Sequence, residues 1–259
     1  MRLDQYLVSH TLAESRNKAS ALIVSGGVTV NSKRVIKPSY SVSENDVISI
    51  IADEKVYVAR SAKKLLTAVD SFGLSFKNKI AVDLGASTGG FCEVMLENDV
   101  KRIYAVDIGT NQLHPKIKND DRIINMEHTN ARYITRLSFD EDIDVITCDL
   151  SFISLKLIMN AAYCTLKDGG EFICLIKPQF EAGPSNVGKN GVVKDKNVHF
   201  NVVKDITKYA SEIGFCCADL SFSGLEGESG NREFLLYLVK SKAKSLVDEE
   251  YIKKIVLGE

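Results

Sequence analysis

Lys79-Ile80-Ala81-Val82-Asp83-Leu84-Gly85-Ala86-Ser87-Thr88-Gly89-Gly90-Phe91 is the stretch that decides the fold. It opens as an apolar, strand-forming run, passes through a glycine-rich turn and leads into a helix. Glycines at that point let backbone approach a ligand at the carboxyl end of a strand. The dinucleotide fingerprint GxGxxG is not met, because Gly85 is followed by Ala86-Ser87 before Gly89. About twenty residues on, the next strand candidate ends in Asp107, where a carboxylate can take both hydroxyls of a ribose. A turn without pyrophosphate spacing, joined to that acid, fits S-adenosylmethionine better than NAD.

Outward from this turn, strand-like runs recur at 79–84, 102–107, 122–126, 145–149, 171–176 and 233–239, with longer helical stretches between most of them. That alternation predicts a doubly wound, mostly parallel α/β sheet. Ile80-Ala81-Val82 and Val145-Ile146 suit strands buried on both faces. Three of the runs carry charge at an end: Asp149 closes one, Lys177 the next, and Glu233 opens the last. If the strands lie side by side, these charges converge at one mouth, where Lys64, on the helix before the first strand, can join them.

The first 55 residues read differently. Ser15 is placed to cap a helix over 16–24 that ends at Gly26-Gly27, Val28-Thr29-Val30 alternates like a strand, Asn31-Ser32-Lys33-Arg34 reads as a turn, and Val47–Ile50 as a closing strand. Residues 1–40 hold six basic side chains (Arg2, Arg16, Lys18, Lys33, Arg34, Lys37) against Asp4 and Glu14, and the chain then turns acidic at Glu44, Asp46, Asp53 and Glu54. Such an excess suits a phosphate-facing patch although the whole chain has a net charge of -1.

With 259 residues, 45% hydrophobic and 26% charged, the chain reads as a folded protein with a sizeable core. Its six cysteines follow no metal spacing and several lie in apolar runs, which predicts buried thiols and no metal. There is no signal-like N-terminus and no apolar run of the roughly 20 residues that a membrane span needs. A cytoplasmic location without membrane insertion is the expectation.

Arg2-Leu3-Asp4 with Leu7, Ser15-Arg16, Ala19, Leu22-Ile23, Gly27-Val28-Thr29-Val30-Asn31 and Asp46-Val47-Ile48 together resemble the S4 RNA-binding module. That resemblance implies phosphate contacts at Arg16, Lys18, Lys33 and Arg34. S4 modules also accompany pseudouridine synthases, but the sequence holds no further Arg-Leu-Asp beyond residues 2–4. The set Lys64, Asp149, Lys177 and Glu233 resembles the K-D-K-E tetrad of FtsJ-like ribose 2'-O-methyltransferases. DLGASTGGF, DLSFISL, KPQFEAG and GNREF are close to motifs of the TlyA (hemolysin A) family, whose resemblance runs over nearly the full chain. One departure is Arg60-Ser61-Ala62, where the family has Arg-Gly-Gly.

The resemblance implies an S4-type α+β domain over 1–56 and a Rossmann-like methyltransferase domain over 57–241, while the roughly helical spacing of Leu246, Val247, Ile252 and Ile255 predicts a short packed helix in a tail over 242–259. It implies Lys64, Asp149, Lys177 and Glu233 as catalytic residues. Asp83, Gly85, Ser87, Gly89, Asp107, Asn130 and Asp149 would surround S-adenosylmethionine, Asn130 near its adenine. The expected reaction is methyl transfer to a ribose 2'-hydroxyl of ribosomal RNA, on a cytidine. The chain begins almost at Arg2-Leu3-Asp4, like the family's shorter type, which points to the small subunit. Gly183, Gly188 and Gly191 read as hinges of a mobile loop that is either an RNA clamp with Lys189 on phosphate or a plain surface loop. A hydroxyl is a poor nucleophile, so such a site must position it in line and manage its proton. The competing readings are a membrane-active hemolysin and a non-catalytic S4-type RNA-binding protein.

Overall fold

The computed structural model describes residues 1–24, 26–43, 45–50, 57–227 and 230–259. Glu44, Asp53 and Glu54 of the acidic stretch, and the segment just before the expected boundary at 56/57, lie outside the described residues. The chain divides into two compact units, Met1–Val56 and Tyr57–Glu259.

In the first unit, α1 (Leu3–Ser9) and α2 (Arg16–Val24) accompany a small sheet of β1 (Val28–Val30), β2 (Lys33–Arg34) and β3 (Ile48–Ile50), ordered β2-β1-β3 and antiparallel. Leu3 and Leu7, one helical turn apart, are fully buried in a cluster with Ala19 and Ile23, which accounts for a helix α1 that the sequence reading had left unassigned. Ser15 Oγ accepts the Lys18 N–H at 3.3 Å, at the expected cap. The expected turn over Asn31–Arg34 is shorter than the reading had it. Only Asn31 and Ser32 turn, both with left-handed φ (50° and 64°), as a two-residue hairpin requires. Asn31 is held there by its own amide, which donates to Asp46 Oδ1 at 2.7 Å and accepts the Val47 N–H at 2.9 Å. Lys33 and Arg34 consequently join a strand, opposite Val30 and Thr29.

The second unit runs α3 (Ala62–Phe72), β4 (Ile80–Leu84), α4 (Gly90–Glu97), β5 (Arg102–Val106), α5 (Pro115–Lys118), β6 (Ile123–Met126), β7 (Ile143–Cys148), α6 (Lys156–Thr165), β8 (Leu166–Ile176), α7 (Pro178–Glu181), α8 (Lys196–Ile213), β9 (Phe215–Glu226), β10 (Arg232–Lys240) and α9 (Glu249–Leu257). Its seven-stranded sheet has the order β6-β5-β4-β7-β8-β10-β9. All neighbours are parallel except β10, which is antiparallel to both β8 and β9. Both faces are covered. Phe172, Cys174 and Ile176 of β8 enter one core with α6, α8 and α9, while Ile173 and Leu175 enter the other with α3 and α4. The period of two is therefore present inside strands whose composition looks uniformly apolar.

Strand β9 was not anticipated. The segment 242–259 packs on this unit: Asp248 accepts the Tyr251 N–H at 2.8 Å to cap α9, and Val247, Ile252 and Val256 enter the core. Phe172→Ala, at a fully buried centre of this layer, should cost about 3–5 kcal/mol and lower Tm by on the order of 10 °C, measured by thermal unfolding. A shift of a degree or two would show that this layer does not hold the unit together.

Candidate active site

One reversal of direction brings the charged residues together. Asp149 follows the carboxyl end of β7 and Lys177 the carboxyl end of β8. Because β10 runs the other way, its amino end lies at that same edge, with Phe234 opposite Ile176. Glu233 therefore opens onto the mouth that β7 and β8 end in. Lys64 arrives on the first turns of α3, buried at 6% exposure, whereas neighbouring Lys63 is exposed. The side chain at Ser61 is accommodated by Gly90, where a Cβ would lie 2.4 Å from Ser61 Oγ and 3.0 Å from the Ala62 backbone nitrogen.

The four side chains form a continuous line of alternating charge. Lys177 Nζ lies 2.7 Å from Asp149 Oδ1, Lys64 Nζ 3.3 Å from Asp149 Oδ2, and Lys64 Nζ 2.7 Å from Glu233 Oε2. Burial works against the Lys64 ammonium, but the carboxylates of Asp149 and Glu233 outweigh it and hold its pKa above the ordinary lysine value. Burial likewise opposes ionisation of Asp149, and the two lysines overcome it, leaving its pKa below the usual carboxylate range. Lys177 Nζ also donates to Ser151 Oγ at 2.9 Å, and Gln179 Nε2 to Glu233 Oε1 at 3.3 Å. Ser151 and Gln179 belong to motif phrases whose sequence gave them no role; only their bonds reveal one.

Beside this line, where strand order reverses at β4 and β7, opens a cavity of ≈ 290 Å³ bordered by Gly85, Asp107, Asn130, Leu150 and Ser151, among others. Gly85 has φ 83°, and a Cβ there would meet Leu150 Cδ2 at 2.9 Å and the Asp149 carbonyl at 3.2 Å, so no side chain fits. Asp107 is aimed by backbone: its Oδ2 accepts the Ser87 N–H at 2.9 Å and its Oδ1 the Gly109 N–H at 2.7 Å. Asn130 Oδ1 accepts the Arg132 N–H at 3.0 Å. Ile108, Ala131 and Ile153 add an apolar wall. A glycine cradle, a carboxylate and an apolar slot match the chain of phosphate-free polar and aromatic parts in S-adenosylmethionine.

Ser87, Gly89 and Asp83 shape the same turn. Ser87 (φ 46°) orients Asp107, and Gly89 (φ 94°) begins α4 with Ile117 and Leu113 against its open side. Asp83 is buried beneath the turn, accepting from Thr147 Oγ1 at 2.8 Å and Cys92 Sγ at 3.2 Å. Burial, with Asp149 and Asp107 nearby, pushes its pKa up to about 7 against those two hydrogen bonds.

At the rim, Phe152 is 89% exposed with a left-handed φ of 63°, its ring centroid 5.0 Å from that of Phe180. Lys189 is exposed on a tight turn closed by Gly188 N–H to the Val192 carbonyl at 3.0 Å. The end of that loop is pinned by buried Asn231, which accepts the Val193 N–H at 3.0 Å and donates to the Gly191 carbonyl at 2.9 Å. In the first unit Lys33 and Arg34 are exposed, Lys18 pairs with Glu14, and Arg16 Nε donates to buried Asp4 at 3.1 Å beside Arg2. Among the described residues no group of three or more His, Cys, Asp or Glu is arranged to hold a metal ion, and no helix is long and apolar enough to cross a membrane.

Both units match known protein families. The family model for FtsJ-like methyltransferases matches residues 57–240, and that for the S4 domain matches residues 1–48. The chain is 36% identical to the 16S/23S rRNA (cytidine-2'-O)-methyltransferase TlyA of Mycobacterium tuberculosis, over 92% of this chain and 89% of that one. It is 35% identical to the 23S rRNA (cytidine-2'-O)-methyltransferase TlyA of Campylobacter jejuni, over 93% of this chain and all of that one. A solved structure from Streptococcus thermophilus, described as a hemolysin, superposes with a TM-score of 0.77 at 38% identity, covering 100% of this chain and 94% of that one. The chain belongs to the TlyA (hemolysin A) family, which joins an S4 domain to an FtsJ-like methyltransferase domain.

Proposed function

We propose that this protein transfers a methyl group from S-adenosylmethionine to the ribose 2'-hydroxyl of a cytidine in ribosomal RNA. The observation that carries the proposal is the unbroken line Lys177–Asp149–Lys64–Glu233 beside a cavity bordered by Gly85, Asp107 and Asn130. The relatives from Mycobacterium tuberculosis and Campylobacter jejuni are named for this chemistry on rRNA. The sequence reading favoured the small subunit; one relative's name gives both subunits and the other 23S alone, so the proposal extends to either.

When bound, the cofactor supplies an electrophilic methyl group on a positive sulfur. The Gly85 turn accepts its close approach, Asp107 is oriented to take ribose hydroxyls, and Asn130 stands where adenine would lie. Lys177, tied to Asp149 and Ser151, is the cation within reach of an incoming hydroxyl. It would hold the oxygen in line and stabilise the negative charge that grows as the O–CH3 bond forms, while the methyl–sulfur bond breaks to leave a neutral thioether and the hydroxyl proton passes to solvent water. Asp149 keeps Lys177 in place, and Lys64 with Glu233 keeps Asp149 in place. Phe152 offers a flat apolar face on which a base drawn out of its stack can rest. Arg16, Lys18, Lys33, Arg34 and Lys189 would meet RNA phosphates, positioning the substrate without reading its sequence. A cytoplasmic location is part of the proposal.

The hemolysin reading gains nothing from the structure, since none of its described helices is a candidate span. A non-catalytic RNA-binding protein would bind RNA and leave it unmodified.

Lys177→Ala should lower methyl transfer by about 10²–10⁴-fold while cofactor affinity, read by calorimetry, changes little. Asp107→Asn should weaken cofactor binding in the same titration. Digestion of rRNA treated with the enzyme and labelled methyl donor should yield 2'-O-methylcytidine, and mapping then assigns the subunit. A label found on a base would refute the reaction. Lys33→Ala with Arg34→Ala should lower the slope of log K against log salt for RNA binding by about 1.4–1.8. An unchanged slope would remove these two residues from the interface.

A further inference from the structure

The catalytic mouth is formed by two segments that meet outside the sheet: 149–155 after β7, and 177–181 after β8. The first contains Phe152 in the left-handed region, which is unfavourable for a bulky side chain and persists only where the surroundings hold it. Three sets of contacts cross between the segments. Lys177 reaches Asp149 and Ser151, the Phe180 ring lies against the Phe152 ring, and Glu181 closes the far end. Glu181 Oε1 accepts the Leu155 N–H at 2.6 Å and Oε2 accepts the Ser154 hydroxyl at 2.7 Å. Ser154 Oγ in turn accepts the Lys156 N–H at 3.3 Å, so the carboxylate also orders the start of the ten-residue helix α6. Both segments line a cavity of only ≈ 10 Å³, bordered by Lys177 and Glu181.

We infer that Glu181 is a positioning residue for methyl transfer, its carboxylate fastening the loop of Ser151 and Phe152 to the segment that carries Lys177. Without it, the loop keeps Phe152 in an unfavourable backbone conformation with one anchor fewer, and Ser151 loses its fixed distance from Lys177. Glu181 sits four residues beyond Lys177 inside Lys177-Pro178-Gln179-Phe180-Glu181, but acts through Ser154 and Leu155 and belongs to neither the tetrad nor the cofactor cavity. Burial pushes its carboxyl pKa up, while the bonds from Leu155 and Ser154 oppose that rise. The site keeps an acid here against its desolvation. The inference rests on the ribose-methylation reading for its kinetic consequence, though not for the fastening itself.

The test compares full-length wild type, Glu181→Ala, Glu181→Gln and Lys177→Ala by amide hydrogen exchange and by methyl-transfer kinetics on rRNA. Glu181→Ala should raise exchange in the peptide spanning 150–157, leave β4 and β10 protected, and lower kcat/KM for RNA by about 10²-fold. Glu181→Gln should restore both, since its amide oxygen accepts the Leu155 N–H and its NH2 can meet Ser154. Unchanged exchange at 150–157, exchange spread through β4 and β10, or a Gln variant as impaired as Ala would overturn the inference. If wild type itself transfers no methyl to RNA, the reaction reading fails, and the exchange comparison still decides whether Glu181 fastens the loop.

Discussion

Everything at the mouth of this protein depends on charges that cannot be left alone. Lys64 and Glu233 are nearly excluded from water, and Asp149 is little more accessible, with side-chain exposures of 8%, 3% and 13%. An isolated ion at such a place carries a desolvation cost of several kcal/mol, which an opposite partner at hydrogen-bond distance offsets. Alternation of sign along Lys177, Asp149, Lys64 and Glu233 gives each inner member two partners. The line therefore holds its own geometry, and Lys177, at one end of it and as buried as Lys64 with a side-chain exposure of 8%, receives a fixed position from the other three.

The sheet makes this line reachable. In a wholly parallel sheet the amino end of a strand lies at the edge opposite to the active mouth, and Glu233 would be stranded there. The single antiparallel strand β10 carries it back, while the order reversal between β4 and β7 opens the neighbouring crevice. The charged line and the crevice thus share one edge through two independent features of topology. The first unit contributes a separate surface of exposed cations, set by a hairpin whose two-residue turn places Lys33 and Arg34 on a strand.

Much of the second unit was legible because its buried strands are short apolar runs closed by a charged or glycine residue, and strands 79–84, 102–107, 122–126 and 145–149 differ from the observed ones by a residue or two at their ends. Strand β9 escaped for a physical reason. Ala218 is an extra residue between Cys217, opposite Leu238, and Asp219, opposite Tyr237, so the alternation changes phase in mid-strand. Asp219, Ser221 and Ser223 then read as loop. In the site, the four charges were readable from their places at strand ends and from family resemblance. Glu181, Ser151, Gln179 and Asn231 were in plain view within the same phrases, but a polar residue's partner across two loops leaves no periodic trace. In the glycine-rich turn, Asp83, Ser87 and Gly89 shape the backbone that presents Gly85 and Asp107.

The most direct test of this account is a double-mutant cycle on single-turnover methyl transfer with Lys64→Met and Glu233→Gln. If the two residues act as one support for Asp149 and Lys177, the double variant should be about as slow as the worse single variant, a strongly non-additive result. Losses that simply multiply would mean that Lys64 and Glu233 act separately, and the charged line would not be the unit on which catalysis rests.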